Sequence, residues 1–203
     1  MRFRLRVNLR ALALTLAIVP AAFAYEYPLS PSAIRDAYFR GTGPKGTEGD
    51  FYAKYIHNFS IPRTAPPVSY DSLETPYLQV AEHARDAVNY DAQDAVEEFL
   101  NRDMEFRVFT EVCYRPRRAA AAESGTHDIK VRLLQHDRRI DVEITDRSDL
   151  NVFRDAETSQ ESIGQHVELQ CNADKIDSSP LTIEVETPDG QHAETTYDLS
   201  EIK

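Results

Sequence analysis

From Asp128 to Ile144 the chain reads DIKVRLLQHDRRIDVEI, with apolar and charged positions in alternation. Ile129, Val131 and Leu133 alternate with Lys130 and Arg132; after the polar run Gln135 to Arg139, Ile140, Val142 and Ile144 alternate with Asp141 and Glu143. Period two with one apolar face predicts two strands, and the expectation is a β-hairpin whose basic outer face meets an acidic one. Each opposed pair contributes roughly 0.2 to 1 kcal/mol. A second hairpin is predicted at the end of the chain. Leu181, Ile183 and Val185 alternate up to the turn Pro188-Asp189-Gly190 and return through Thr195, Tyr197 and Leu199. Phe106, Val108, Val112 and Tyr114 mark a further strand, and Val167 to Cys171 a short one. Asp146 to Ile163 is polar with three isolated large apolar residues, Leu150, Val152 and Phe153, and reads as a long connection or an edge.

Before residue 104 the spacing is helical. Ser30 is placed to cap a helix over about residues 31 to 40, with Pro31 in its first turn, Ile34, Ala37 and Tyr38 on one side, and Gly41 as terminator. Phe51, Tyr52, Tyr55, Ile56 and Phe59 predict a second helix ending before Pro62, and Ile61 to Val68 an extended spacer. Thr75-Pro76 starts a third, with Tyr77, Val80, Ala81, Ala84, Ala87 and Val88 inward. Asp91 caps a fourth that turns Ala95, Val96, Phe99 and Leu100 inward and leaves Asp94, Glu97 and Glu98 wet. Helices that precede strands without alternating with them imply α+β: an N-terminal helical region, residues 25–103, followed by an antiparallel β-sandwich-like (immunoglobulin-like) region, residues 104–203.

The first 24 residues carry the three parts of a secretory signal: Arg2, Arg4, Arg6 and Arg10, the apolar run Ala11 to Val19, and the small-residue site Ala22-Phe23-Ala24. Cleavage is expected after Ala24, leaving 179 of the 203 residues, and the destination is the periplasm or the cell exterior. Losing four Arg and no acid takes the net charge from −11 to −15. That balance weighs against nucleic acid and anionic membrane as partners, because both are bound by clustered Lys and Arg. The dense basic run Arg115-Pro116-Arg117-Arg118 is short and reads as a solvated loop. No stable membrane insertion is expected once the signal is gone.

Two cysteines in an oxidising compartment predict a disulfide, Cys113 to Cys171. Closing so long a loop would stabilise the fold by about 4 kcal/mol. One feature opposes it: Cys171 continues the apolar parity of Val167 and Leu169, whereas Cys113 falls on the parity opposite Phe106, Val108, Val112 and Tyr114; a bulge or a strand-end position would reconcile them.

Candidate chemistry is sparse. GxSxG, HExxH and a glycine-rich phosphate loop are missing from the sequence. His127 and His136 flank a strand and sit roughly 30 Å apart, too far to share an ion. The run DRSDLNVFRDAE has the composition of a calcium loop without its glycine and terminal Glu in place. No catalytic, cofactor-binding or metal residue is assigned and no cofactor is implied. The expectation is a non-enzymatic binding or structural module whose partner is a protein or glycan. The alternative is a cell-wall or polysaccharide hydrolase, for which acids near Tyr52, Tyr55, Tyr77 and Tyr90 are the only hint. The phrases YEYPLSPSAIRDAYFRG, ETPYLQV, NYDAQDAVEEF and EVETPDGQ with YDLSEIK resemble exported, signal-bearing proteins of acidobacterial type. That resemblance implies the compartment and a helical-then-β layout, and no activity.

Overall fold

A computed structural model describes residues 24–44, 48–61, 69–114, 128–154, 159–188 and 190–203. The signal segment, most of the proline-rich spacer and the basic loop lie outside the described residues. The described chain is mixed α+β, with four helices and two antiparallel sheets. Helices α1 (Pro31–Gly41), α3 (Pro76–Asp86) and α4 (Ala92–Phe99) start where their caps predict. The Ser30 side chain accepts from Ala33 N, Thr75 from Leu78 N, and Asp91 forms a reciprocal capping box with Asp94; such a cap is typically worth about 1 kcal/mol. Gly41 acts otherwise than expected. It is the last helical residue of α1, and a Cβ there would stand 1.9 Å from the Ala81 carbonyl oxygen, so the residue is small to let α1 lie against α3. Val88 is 83 % exposed, past the end of α3.

The predicted second helix is corrected. Helix α2 (Glu48–Tyr52) runs through a 3₁₀ turn, Ala53–Tyr55, into strand β1 (Ile56–Phe59). Tyr55 and Phe59 are four apart, a spacing that shares one side of a helix and one face of a strand alike. Strand β1 pairs with β2 (Ser69–Glu74), which pairs with β3 (Glu105–Cys113). Two strands therefore precede residue 104 and share a sheet with three of the strands after it.

The five-stranded sheet has the order β1-β2-β3-β7-β6, with β6 (Glu143–Arg154) and β7 (Ser159–Asn172) forming a long hairpin at one side. The segment read as a connection or edge is thus an edge strand and its return. Gly164 faces Cys113 across this sheet, and a Cβ there would meet Val112 O at 2.0 Å. The four-stranded sheet has the order β5-β4-β8-β9: β4 (Lys130–Gln135), β5 (Arg138–Arg139), β8 (Leu181–Glu186) and β9 (His192–Tyr197). The terminal hairpin β8–β9 forms as predicted.

The opening hairpin needs correction. It turns on His136 and Asp137, both at positive φ (53° and 58°), the two-residue turn whose twist suits paired strands. Only Arg138 and Arg139 return beside β4, and after the bond Ile140 N to Leu133 O (2.9 Å) the chain leaves for β6 in the other sheet. Lys130 and Arg132 face Glu186 and Glu184 of β8, with Lys130 Nζ 3.0 Å from Glu186 and Arg132 3.1 Å from it. Opposite charges do meet across the strands, but on a different partner from Asp141 and Glu143. Ile129, Val131, Leu133 and Ile140 are buried, while Ile144 is 49 % exposed.

The expected disulfide does not form: Cys113 and Cys171 are free and buried. In the β3–β7 ladder Cys113 faces Gly164 and Cys171 faces Phe106, seven positions apart. At about 3.4 Å per residue the two cysteines' Cα atoms stand roughly 24 Å from each other, against about 7 Å at most for a bridge. The opposed parity of the two residues was the correct signal.

One hydrophobic cluster takes side chains from both sheets, among them Phe106, Leu169, Leu133, Ile183 and Tyr197. A second joins Ile34, Tyr77, Val80 and Phe99 of the helices, and Tyr27 and Phe51 pack against both. No helix among the described residues is long and apolar enough to cross a membrane.

Candidate functional site

The best-formed polar constellation lies where α1, the start of α3 and the last residues of the chain meet. Because α1 buries Ile34 and Ala37, Asp36 is turned outward; because Thr75 caps α3, Tyr77 sits in its first turn, 2 % exposed. Tyr77 Oη donates to Asp36 Oδ2 at 2.6 Å and Lys203 Nζ donates to the same oxygen at 2.8 Å. Lys203 Nζ is also 5.5 Å from the centroid of the Tyr77 ring, a cation–π distance. The Lys203 carbonyl accepts from the buried Thr75 hydroxyl (2.7 Å) and from Tyr55 Oη (3.1 Å), and Ile202 is buried in the sheet cluster. Partial burial alone would raise the Asp36 carboxyl; the hydrogen bonds from Lys203 and Tyr77, with Arg40 nearby, outweigh it and hold the group below the ordinary carboxylate range. Burial, reinforced by Asp36, pushes the Tyr77 phenol well up. A cavity of about 330 Å³ opens beside this group, floored by Leu29 and Ala33 and rimmed by Glu26, Ser30 and Ser32. A smaller one of about 140 Å³ lies on the other side, against Arg40, Lys54 and Tyr55.

A second constellation is buried. His57, Asp71 and Thr110 are successive register partners across β1, β2 and β3, and Asp71 and Thr110 are 0 % exposed. Thr195 of β9 donates through its hydroxyl to Asp71 Oδ2, and Tyr197 Oη donates to the Asp71 carbonyl at 2.8 Å. The His57 ring stacks on Tyr197, centroids 4.0 Å apart and 5° from parallel. Burial raises the Asp71 carboxyl to about 6, against the lowering effect of the Thr195 and Thr110 hydroxyls. Thr110 faces the acid, yet neither Thr110 Oγ1 nor Asp71 Oδ1 completes a hydrogen bond of ordinary geometry. This group ties the two sheets together.

A third contains the residue types of a hydrolytic triad without its arrangement. His136 Nε2 lies 2.7 Å from Asp177 Oδ2 and 3.1 Å from Ser179 Oγ, and the Ser179 hydroxyl also donates to Asp177. A relay needs the serine on one ring nitrogen and the acid on the other. Here both compete for Nε2, on an exposed turn that Gln135 pins through Asp177 and Ser179 backbone groups. The Ser179 and His136 hydrogen bonds hold Asp177 down to about 2.

Carboxylates gather in a cleft of about 410 Å³ that includes Asp103, Glu105, Asp141 and Glu143. Glu105 is engaged by Arg107 (3.0 Å) and Gln170 (2.6 Å), while Asp103, Asp141 and Glu143 are exposed. Asp94, Glu97 and Glu98 are exposed on α4, as predicted. Of the four tyrosines that were the hint of a hydrolase, Tyr55 and Tyr77 are buried, and Tyr52 and Tyr90 are partly exposed. Burial raises the thiol of Cys171 to about 11 and shifts that of Cys113 in the same direction, away from a reactive thiolate. Among the described residues no group of three or more His, Cys, Asp or Glu is placed to hold a metal.

Sequence reasoning singled out neither Asp36 with Lys203 nor Asp71. An acid among the inward positions of a short strand was the available signal for Asp71; for the pair 167 positions apart there was none. No protein-family model matches the chain, and comparison with curated proteins and with solved structures likewise gives no match.

Proposed function

We propose that this is an exported, non-enzymatic binding module of the periplasm or cell exterior, and that its ligand site is the cleft beside Tyr77 and Asp36. The observation that carries the reading is the cavity of about 330 Å³, whose lining mixes the apolar Leu29 and Ala33 with Ser30, Ser32, Glu26 and Asp36. It falls within the range of roughly 300 to 1,000 Å³ typical of small-ligand sites, and a peptide side chain or a sugar unit suits its mixed lining. The nearest thing to a triad lacks a relay geometry, which supports binding over turnover.

Export is supported by Tyr25, the residue after the expected cleavage point. It is 6 % exposed, its N–H donates to Leu199 O (2.8 Å), and its hydroxyl donates to Ala173 O (2.9 Å). A cut after Ala24 would leave this anchored residue as the first of the mature chain. The shared hydrophobic cluster supports taking the two sheets as layers of a sandwich-like β region.

A thermal-shift screen of the purified protein against peptides and glycans, with peptidoglycan and polysaccharide turnover assayed alongside, tests the proposal. Ligand that binds only the folded state raises the melting point. Stabilisation without turnover, reduced by a substitution at Asp36 or Tyr77, is the expected result. Turnover abolished by replacing one acid of the Asp141–Glu143 cleft would make the protein a hydrolase instead.

A further inference from the structure

Building on the cleft as ligand site, we infer that Asp36 and the face of Tyr77 form a seat for a primary alkylammonium group, the side chain of a lysine on a partner peptide, and that Lys203 fills it in cis. The seat's chemistry is displayed by its present occupant. An ammonium 2.8 Å from a carboxylate oxygen and 5.5 Å from an aromatic centroid receives a charge-assisted hydrogen bond partner and the negative face of a ring at once. Tyr77 Oη, donating to the same Asp36 oxygen, fixes the carboxylate's orientation against the ring.

The surroundings give the seat a direction of entry. On the side of the larger cavity stands a second carboxylate, Glu26, with the hydroxyls of Ser30 and Ser32, so that two acids there face one lysine. On the side of the smaller cavity stand two cations, Arg40 and Lys54, against one acid, Glu201, a balance that disfavours a further cation. A positive ligand therefore comes in over Glu26, past Leu29 and Ala33, whose apolar surface suits a methylene stem. A chain of net charge −11 adds a field that draws cations in and turns acidic peptides away. Lys203 is then a competitor: ligand binds to the fraction of molecules in which its ammonium has swung out, and apparent affinity is reduced by that fraction.

Calorimetric titration at low salt with Nα-acetyl-lysine N-methylamide, with the norleucine analogue as uncharged control and cadaverine as a free diamine, tests this. Lys203→Met keeps an unbranched stem and removes the competing charge, and it should bind the lysine probe up to about fivefold more tightly than the parent protein. Adding Asp36→Asn should remove the gain, and the norleucine analogue should not bind either form. Cadaverine binding as tightly as the lysine probe would assign the seat to free diamines, within the same ammonium chemistry. The inference is overturned if folded Lys203→Met binds lysine no better than norleucine, or no better than the parent, or if Asp36→Asn leaves binding unchanged. Should Lys203→Met fail to fold, Asp36→Asn alone decides, by abolishing or sparing the parent's weaker lysine binding. An uncharged sugar or acidic peptide bound at the cleft, indifferent to Asp36→Asn, would overturn the ammonium seat while leaving the cleft as a binding site.

Discussion

Asp71 makes the protein's stability depend on pH with the sign opposite to that of its exposed, paired acids. It is 0 % exposed, and its carboxyl is raised from an ordinary 3.8 to about 6 by burial. In the pH range between those values the folded state holds a proton that the unfolded state has released, so stability falls as pH rises from about 4 to about 6 and is then level. The full span corresponds to about 3 kcal/mol. Asp36 and Asp177, held low by their partners, add stability as pH rises through the acid range, so the Asp71 contribution must be isolated by difference. Asp71→Asn keeps the shape and cannot ionise. Urea denaturation of both proteins between about pH 4 and 7 should give similar stabilities at the acid end and a variant more stable by up to about 3 kcal/mol at the neutral end. A difference that stays constant with pH would refute the reasoning. It would mean that the acid's role is a hydrogen bond to Thr195 that the amide replaces or loses equally at every pH.

Four further outcomes follow from the packing and pairing. Val131→Asp puts an unpaired charge into the sheet cluster, where Val131 is 8 % exposed, and should cost several kcal/mol; Arg132→Ala should shift the urea midpoint only slightly, because its partners stand partly in water. Glu186→Lys should lower the midpoint more than Asp141→Lys, since Lys130 and Arg132 meet β8 and not the strand after Ile140. Gly41→Ala drives a methyl group into the Ala81 carbonyl and should cost about 1 to 3 kcal/mol, read by chemical denaturation. Alkylation of the unfolded, unreduced protein followed by mass spectrometry should modify both Cys113 and Cys171, and reductant should leave the melting temperature unchanged.

Local signals in the sequence were legible wherever one neighbourhood decides the structure. Ser30, Thr75 and Asp91 cap the helices predicted for them because a cap is satisfied within three residues. Alternation located β3, β4, β8 and β9 because each has one buried face. The hairpin partner of β4 was misassigned because the segment after Ile140 and strand β8 both offer acidic outer positions beside apolar inner ones. Helix and strand periods coincide at four residues, so Tyr55 and Phe59 could not separate one from the other. Strand β6 escaped because Asp146, Ser148 and Asp149 leave it polar on both parities, as suits an edge. The site was the least legible of all. Asp36 meets Lys203, and Asp71 meets Thr195, only after the sheets and helices have assembled.

The central claim is that the cleft at Tyr77 and Asp36 binds a ligand without transforming it. An ¹⁵N NMR titration of the purified protein with the strongest stabiliser from the thermal-shift screen tests it most directly. Binding at the cleft should give saturable shift changes concentrated at Ser30 to Asp36, Tyr77 and Lys203, with the ligand's own signals intact afterwards. Shift changes centred on Glu105, Asp141 and Glu143, accompanied by product signals growing in with time, would contradict it.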